Sequence, residues 1–144
     1  MLASTSSTVA KQAFLRELGA DELVDYTSVD FAAVLREIDV VIDPMAEEYG
    51  PRSLDVLAAG GVLIDVRGTG PDRAQVRALA AHRGLRFAQF GVKRSGDDLR
   101  HLTELVARGA LRVDVGQTLP LAGAAKAHEL IETGRTQGKI VLLP

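Results

Sequence analysis

Short apolar runs alternate with amphipathic stretches along most of the chain. The clearest apolar run is Asp39–Asp43, which predicts a buried strand that ends at Pro44. The clearest amphipathic stretch is 97–108, where leucines recur at helical spacing and Gly109 follows. These two patterns have different periods, so the chain combines strands with helices.

Extending this interpretation along the chain gives a regular order of elements. Strands are predicted at 2–4, 22–26, 39–43, 62–66, 85–90 and 139–143, and helices at 8–18, 30–36, 52–57, 72–83, 97–108 and 122–133. Strands that alternate with helices of this length indicate an α/β fold with a parallel sheet covered on both faces. The regular order loosens near Gly109.

Composition excludes several classes of protein. A chain of 144 residues suits one compact domain, and 47% hydrophobic with 25% charged residues is a globular balance. Seventeen basic against nineteen acidic residues give a net charge of -2, which argues against nucleic acid and anionic membranes as partners. Without cysteine there is no thiolate nucleophile and no cysteine-ligated zinc. The sequence shows neither a secretory signal nor a membrane span, so the expected location is the cytoplasm.

Glycine patterns that bind phosphate are weak in this sequence. Gly68-Thr69-Gly70 follows a predicted strand, but two glycines alone are more typical of a turn. The stretch from Gly134 to Lys139 is one residue too short for a P-loop, and Ile140 replaces the required Ser or Thr. Neither pattern predicts a nucleotide site by itself.

Other candidate residues keep two interpretations. The run Ser4–Ser7 follows the first strand and is suited either to phosphate oxygens or to capping the next helix. Asp43 ends a strand, where ligands of parallel sheets bind, although a solvated strand end is equally plausible. The histidines lack metal-ligand spacing and are interpreted as structural; they are His82, His101 and His128.

Several segments resemble the medium-chain dehydrogenases/reductases, in their zinc-independent quinone oxidoreductase-like branch. The stretch from Ser4 to Tyr26 is similar to the part between the second and third strands of that family. Asp39–Asp43 resembles its fourth strand, and 57–66 resembles the turn and fifth strand. The most specific match is Pro120–Leu142, which is typical of the end of the family's chains. The resemblance covers nearly the whole sequence.

The resemblance implies hydride transfer from NADPH to quinones or activated alkenes. It places the 2′-phosphate of NADPH near a polar run and a basic residue, and the adenine ribose near a tyrosine. It places the nicotinamide beside 43–46 and 66–68. The implied cofactor-binding residues are Ser4, Ser6, Ser7, Lys11, Tyr26, Asp43, Val66 and Gly68. A cationic side chain suits a doubly charged phosphate, so NADPH is expected to be preferred over NADH through Lys11.

The match begins at the family's second strand. The fold implied is an incomplete doubly wound, Rossmann-like parallel sheet that lacks its first strand and glycine-rich turn, with a C-terminal helix-strand tail. We expect a partial cofactor domain over 1–110 and a tail over 111–144. No catalytic residue and no metal ligand is assigned. The isolated chain is expected to be inactive and to bind NADPH weakly or not at all.

An incomplete sheet leaves strand edges and apolar residues without partners, which invites association. A homo-oligomer, or a complex with a separate N-terminal polypeptide, is therefore expected. Three interpretations remain open at this point: part of an NADPH-dependent oxidoreductase, a non-catalytic remnant that serves as a dimerisation or interaction module, and a half-enzyme that needs a second chain.

Overall fold

The computed structural model describes residues 2–6, 9–45, 47–66 and 72–144. The strands are β1 (Ala3–Ser6), β2 (Glu22–Asp25), β3 (Ile38–Asp43), β4 (Leu57–Asp65), β5 (Arg86–Gln89), β6 (Val115–Pro120) and β7 (Lys139–Leu143). The α-helices are α1 (Val9–Glu17), α2 (Phe31–Val34), α3 (Tyr49–Asp55), α4 (Arg73–His82), α5 (Gly96–Ala107) and α6 (Ala124–Glu132). A 3₁₀ turn, Leu121–Gly123, precedes α6.

All strand pairs are parallel, as the alternating pattern predicts. Within the described residues, β1 pairs with β2, the three strands β3, β4 and β5 form a second sheet in that order, and β6 pairs with β7. A parallel pair needs a crossover connection, which helices provide here. In this part of the chain β1 and β3 each have a strand on one side only.

Contacts group the chain into two compact units, Met1–Val92 and Lys93–Pro144. The first unit holds β1 to β5 and the second holds β6 and β7. The sequence-based division places its boundary after residue 110 and stays a prediction about the assembled protein.

The first unit contains two hydrophobic clusters. One joins α3 and α4 to the three-stranded sheet, with Leu54, Leu63, Val76 and Ala80 fully or nearly fully buried. The other is centred on Val24, Leu35 and Val56, and Ala3 and Val41 pack against it. Because Ala3 lies in β1 and Val41 in β3, this second cluster is shared by both sheets of the unit.

Several elements differ from the sequence-based expectations. Strand β1 extends to Ser6, so the serines expected to follow it begin within it. Strand β4 begins at Leu57, five residues earlier than predicted, and includes Gly60 and Gly61, where the sequence predicts a turn.

Strand β6 is not predicted by the pattern, because Gly116 and Pro120 interrupt any alternation of apolar and polar residues. It forms nevertheless, because its backbone pairs with β7. The two backbone segments approach so closely there that a Cβ at position 116 would collide with the carbonyl oxygen of Gln137, which explains the glycine. Helix α3 starts three residues earlier than predicted, at Tyr49, and places Pro51 in its first turn, where no backbone N–H is needed.

No helix among the described residues combines the length and the apolar character that crossing a bilayer requires.

Candidate functional site

The carboxyl ends of β3, β4 and β5 form a row of polar side chains. Asp43 is the cross-strand partner of Asp65, and Asp65 is the partner of Gln89. Two positions earlier, the row Val41, Leu63 and Phe87 is apolar and packs into the core. The sheet therefore changes from a hydrophobic interior to a polar edge within two residues, at the edge where ligands of open α/β sheets bind.

Helix α4 supplies positive charge to this edge. The guanidinium of Arg73 pairs through both terminal nitrogens with the carboxylate of Asp65, and both side chains are almost completely buried. One turn later, Arg77 Nη2 donates a hydrogen bond to Gln89 Oε1 at 3.3 Å, and its guanidinium lies 5.3 Å from the centre of the Phe87 ring. A charge-assisted hydrogen bond from Nη2 together with an ion pair from Nη1 orients both groups.

The structure brings together two of the predicted cofactor residues, Asp43 and Val66. The backbone N–H of Val66 donates to the carbonyl oxygen of Asp43 at 3.1 Å, just beyond the paired ends of β3 and β4. Asp43 is buried, and its Oδ1 accepts the backbone N–H of Met45 at 2.8 Å. This carboxylate thereby shapes the turn after β3. The third residue predicted for this side, Gly68, lies outside the described residues.

The second group of predicted residues lies at β1 and β2. Ser4 and Ser6 are strand partners of Leu23 and Asp25, so both serines lie on β1 beside the end of β2. Tyr26 follows β2 directly and is 53% exposed. Lys11 lies in α1 and is partly buried. Ser7 falls outside the described residues.

Asp25 places a fixed negative charge at the same edge. Its Oδ1 accepts hydrogen bonds from the hydroxyl of Thr27 at 2.6 Å and from the backbone N–H of Thr27 at 2.9 Å. These bonds, the side-chain one first, hold the pKa of Asp25 below its usual value. The residue is therefore ionised at neutral pH, and a phosphate at this edge would need a nearby positive charge to offset it.

The structure offers no metal centre within the residues it describes: no three His, Asp or Glu side chains lie close enough together to hold an ion. His101 Nδ1 lies 3.9 Å from Glu104 Oε2 on the exposed surface of α5.

Sequence reasoning missed Asp65 and Arg73. Asp65 lies one residue before the end of the predicted strand 62–66, so its position was a usable signal. Arg73 carried no such signal, because its pairing with Asp65 depends on how α4 packs against the sheet.

The chain is similar to known proteins over nearly its whole length. A family model described as "Zinc-binding dehydrogenase" matches residues 18–142. A 2-haloacrylate reductase from Burkholderia sp. is 32% identical over an alignment that covers 97% of this chain and 47% of the relative. The chain thus spans about half the length of the curated relatives it matches.

Solved structures give the same result for the fold. The quinone oxidoreductase from Coxiella burnetii superposes with a TM-score of 0.86 at 30% identity, covering 97% of this chain and 44% of that one. The Escherichia coli quinone oxidoreductase in complex with NADPH superposes with a TM-score of 0.80 at 27% identity, covering 99% of this chain and 49% of that one.

These likenesses confirm the predicted Rossmann-like parallel α/β fold. The family match covers most of the sequence, and the structures superpose over nearly all of it. The chain belongs to the zinc-binding dehydrogenase family and is similar to its quinone oxidoreductase-like members, as the resemblance predicts.

Proposed function

We propose that this chain is the cofactor-holding part of an NADPH-dependent reductase of quinones or activated alkenes. The observation that carries the proposal is the meeting of Asp43 and Val66 at the carboxyl ends of β3 and β4. In open parallel sheets this edge is where ligands bind. The names of similar proteins, a 2-haloacrylate reductase and quinone oxidoreductases, support the choice of substrate class.

In this proposal the nicotinamide lies beside the turn that follows β3 and the start of the segment that follows β4. The side chain of Asp43 stabilises the turn after β3 by accepting the backbone N–H of Met45. The backbone hydrogen bond from Val66 to Asp43 holds the segment after β4 against that turn. Burial of Asp43 shields these bonds from water. The described residues therefore position the ring, while substrate contacts are left to the remainder of the assembled protein.

The adenosine side of the cofactor is assigned to β1, β2 and α1. The Ser4 hydroxyl on β1 suits a phosphate oxygen as a donor, and Lys11 supplies the positive charge that balances Asp25 and a 2′-phosphate. The exposed ring of Tyr26 offers a flat surface beside the ribose. These residues fit a phosphorylated dinucleotide through their donors and charge.

When bound, NADPH supplies the hydride for the reduction. The residues of this chain bind and orient the cofactor, and none of them is assigned a proton-transfer step. We expect the isolated chain to be inactive and to bind NADPH with a dissociation constant of about 1 mM or weaker, since the sheet edges at β1 and β3 are incomplete within the described residues.

An NMR titration of the ¹⁵N-labelled chain tests the proposal at such weak affinity. NADPH is expected to shift the amide signals of Val66, Met45 and Tyr26 more strongly than NADH does. Lys11→Ala should weaken NADPH binding about tenfold or more and leave NADH binding unchanged, because it removes a charge-assisted contact to the 2′-phosphate. Arg16→Ala, on the same helix, is the matched control and should behave like the wild type. Equal shifts with both cofactors, or no effect of Lys11→Ala, would contradict the NADPH assignment.

A second candidate function, an interaction module or a half-enzyme completed by another chain, is favoured by the apolar surface of Lys93–Pro144. Exposed large hydrophobic side chains in this unit include Leu99, Leu102, Leu121, Ile131 and Leu143. Surfaces of this kind commonly mark interfaces. Light scattering of the pure chain should then report a dimer or a larger assembly, and a stable monomer across micromolar concentrations would count against self-association.

A further inference from the structure

A small cavity lies between the polar edge of the three-stranded sheet and the start of α4. Its volume is about 10 Å³, and among the described residues it is lined by Asp43, Gly50, Leu63, Asp65, Asp72, Arg73, Val76 and Phe87. A cavity of this size holds about one water molecule, provided that polar partners line it. The walls here are mixed: an apolar side from the core and a polar side from three acids and one arginine.

Three buried polar atoms at this cavity have no hydrogen-bond partner among the described residues: Asp72 Oδ1, an acceptor, and Arg73 Nε and Nη1, both donors. Nη1 is ion-paired with the carboxylate of Asp65, which leaves Asp72 Oδ1 and Arg73 Nε to be satisfied. Arg73 uses its terminal nitrogens on Asp65, which leaves the Nε–H for another acceptor, and its side chain is only 11% exposed. Leaving such groups unpaired is energetically costly, so buried polar atoms are nearly always paired with protein or with ordered water.

Asp72 lies at a position where its side-chain oxygen would usually have a hydrogen-bond partner. Asp72 is the residue before α4, where an aspartate normally accepts a backbone N–H of the first helical turn. Here the side chain makes no such capping bond. Its oxygen is turned into the protein instead, toward the lining of the cavity that it shares with Arg73.

We propose that this cavity is a binding site for one internal water molecule. The water accepts a hydrogen bond from Arg73 Nε–H and donates one to Asp72 Oδ1. Its second hydrogen has the carboxylates of Asp43 and Asp65 as further acceptors in the same lining. One neutral molecule that both accepts and donates satisfies both atoms, whereas an anion would be repelled by three carboxylates and a bare cation would leave the Nε–H unpaired.

The site joins the end of β4 to the start of α4. Asp65 ends the strand, and Arg73 and Asp72 begin the helix, so the water completes a chain of polar contacts across the two ends of the intervening connection. The inference does not rest on the proposed function, because it requires only the buried groups and the cavity.

NMR of the full chain tests the site directly. With ¹⁵N-labelled arginine, the Arg73 Nε–H should show a cross-peak to water with the sign of a long-lived contact in nuclear Overhauser spectra, and a rotating-frame spectrum separates this contact from hydrogen exchange. Asp72→Ala should abolish the cross-peak while the Nε–H signal stays visible. Asp72→Asn keeps an acceptor oxygen and should retain it, which also covers the case in which Asp72→Ala folds poorly. Asp98→Ala, in the first turn of α5, is the matched control and should leave the cross-peak unchanged.

Three results would overturn the proposal: no contact to water at a visible Arg73 Nε–H, a contact that persists in Asp72→Ala, or exchange so rapid that the Nε–H must be open to bulk solvent. A crystal structure gives an independent answer. It should place one ordered water at hydrogen-bond distance from both Asp72 Oδ1 and Arg73 Nε, and a direct bond between these two atoms would exclude the site.

Discussion

Burial differs between the two compact units, as a comparison of Leu63 with Leu99 shows. Each leucine belongs to an apolar pattern that predicts its element correctly, a strand for Leu63 and a helix for Leu99. Leu63 is 1% exposed, whereas Leu99 is 66% exposed. In the unit Met1–Val92 the sheet and helices close over one another, while in Lys93–Pro144 Ala127 alone is buried among the apolar side chains. The apolar pattern therefore predicts whether a segment is a strand or a helix, but it does not predict whether another surface covers the apolar side chains.

The largest expected effect on stability comes from breaking a buried ion pair, compared with breaking an exposed one. Arg73→Met should lower the free energy of unfolding by about 3–5 kcal/mol, because it leaves Asp65 charged and buried. Arg100→Met breaks a pair with Asp97 that is largely exposed, and should cost at most about 1 kcal/mol. Urea unfolding monitored by circular dichroism measures both. The double variant Asp65→Leu, Arg73→Met should regain most of the loss, and a double variant as unstable as Arg73→Met would refute this account.

The two leucines provide the next test. Leu63→Ala removes a fully buried side chain and should cost about 2–5 kcal/mol, through lost burial and the cavity that remains. Leu99→Ala should change stability by about 0.5 kcal/mol or less, because alanine is a good helix former and little burial is lost. The same unfolding experiment compares them. A large loss for Leu99→Ala at high protein concentration only would show that association covers α5 in solution.

Much of the fold was predictable because the period of the pattern is visible in the residues themselves. The predicted strand at Lys139–Leu143 has the same bounds in the structure, and α5 is shifted by only one residue. Strand β6 was not predictable, since its only reason to be extended is the backbone of β7. Such partners lie far along the chain and leave no periodicity behind.

The candidate site likewise has one part that the sequence predicts and one part that it does not. That Asp43 lies at the carboxyl edge of the sheet could be predicted because it ends an apolar strand, and the carboxyl ends of parallel strands share an edge. Val66 was implied by the family resemblance alone. The Arg73–Asp65 pair and the cavity beside it could not, because they depend on the placement of α4 over the sheet. The roles of Ser4, Lys11 and Tyr26 stay predictions until a cofactor titration is made.

Replacing glutamate with glycine should change the free energy of unfolding in opposite directions in the two units, because the backbone conformations at the two positions differ. Glu37, between α2 and β3, has a φ of 55°, a left-handed conformation that costs a non-glycine residue about 1 kcal/mol. Glu37→Gly should therefore raise the free energy of unfolding, by up to about 1 kcal/mol. Glu104→Gly, inside α5, should lower it by about 1 kcal/mol, because glycine weakens a helix interior. Destabilisation by Glu37→Gly would show that the glutamate side chain contributes more than its backbone costs.

The smallest expected effect concerns acid stability around Asp30. Arg52 Nη2 donates to Asp30 Oδ1 at 2.7 Å, and the backbone N–H of Ala32 donates to the same oxygen at 2.8 Å. These bonds, Arg52 first, hold the pKa of Asp30 below 3.8. A carboxylate with a lowered pKa in the folded state contributes stability that is present above 3.8 and is lost as the pH falls through the folded pKa.

Asp30→Asn should therefore be less stable than the wild type at neutral pH, and the difference should shrink as the pH falls below about 4. Thermal unfolding at a series of pH values measures this, and high salt should reduce the neutral-pH difference because both side chains are partly exposed. The guanidinium of Arg52 also lies 4.9 Å from the centre of the Phe31 ring and 5.4 Å from that of Tyr49, so it remains held between α2 and α3 in the variant. A variant as stable as the wild type at neutral pH would mean that Asp30 acts through the helix cap on Ala32 alone, since an asparagine oxygen accepts that bond without any charge.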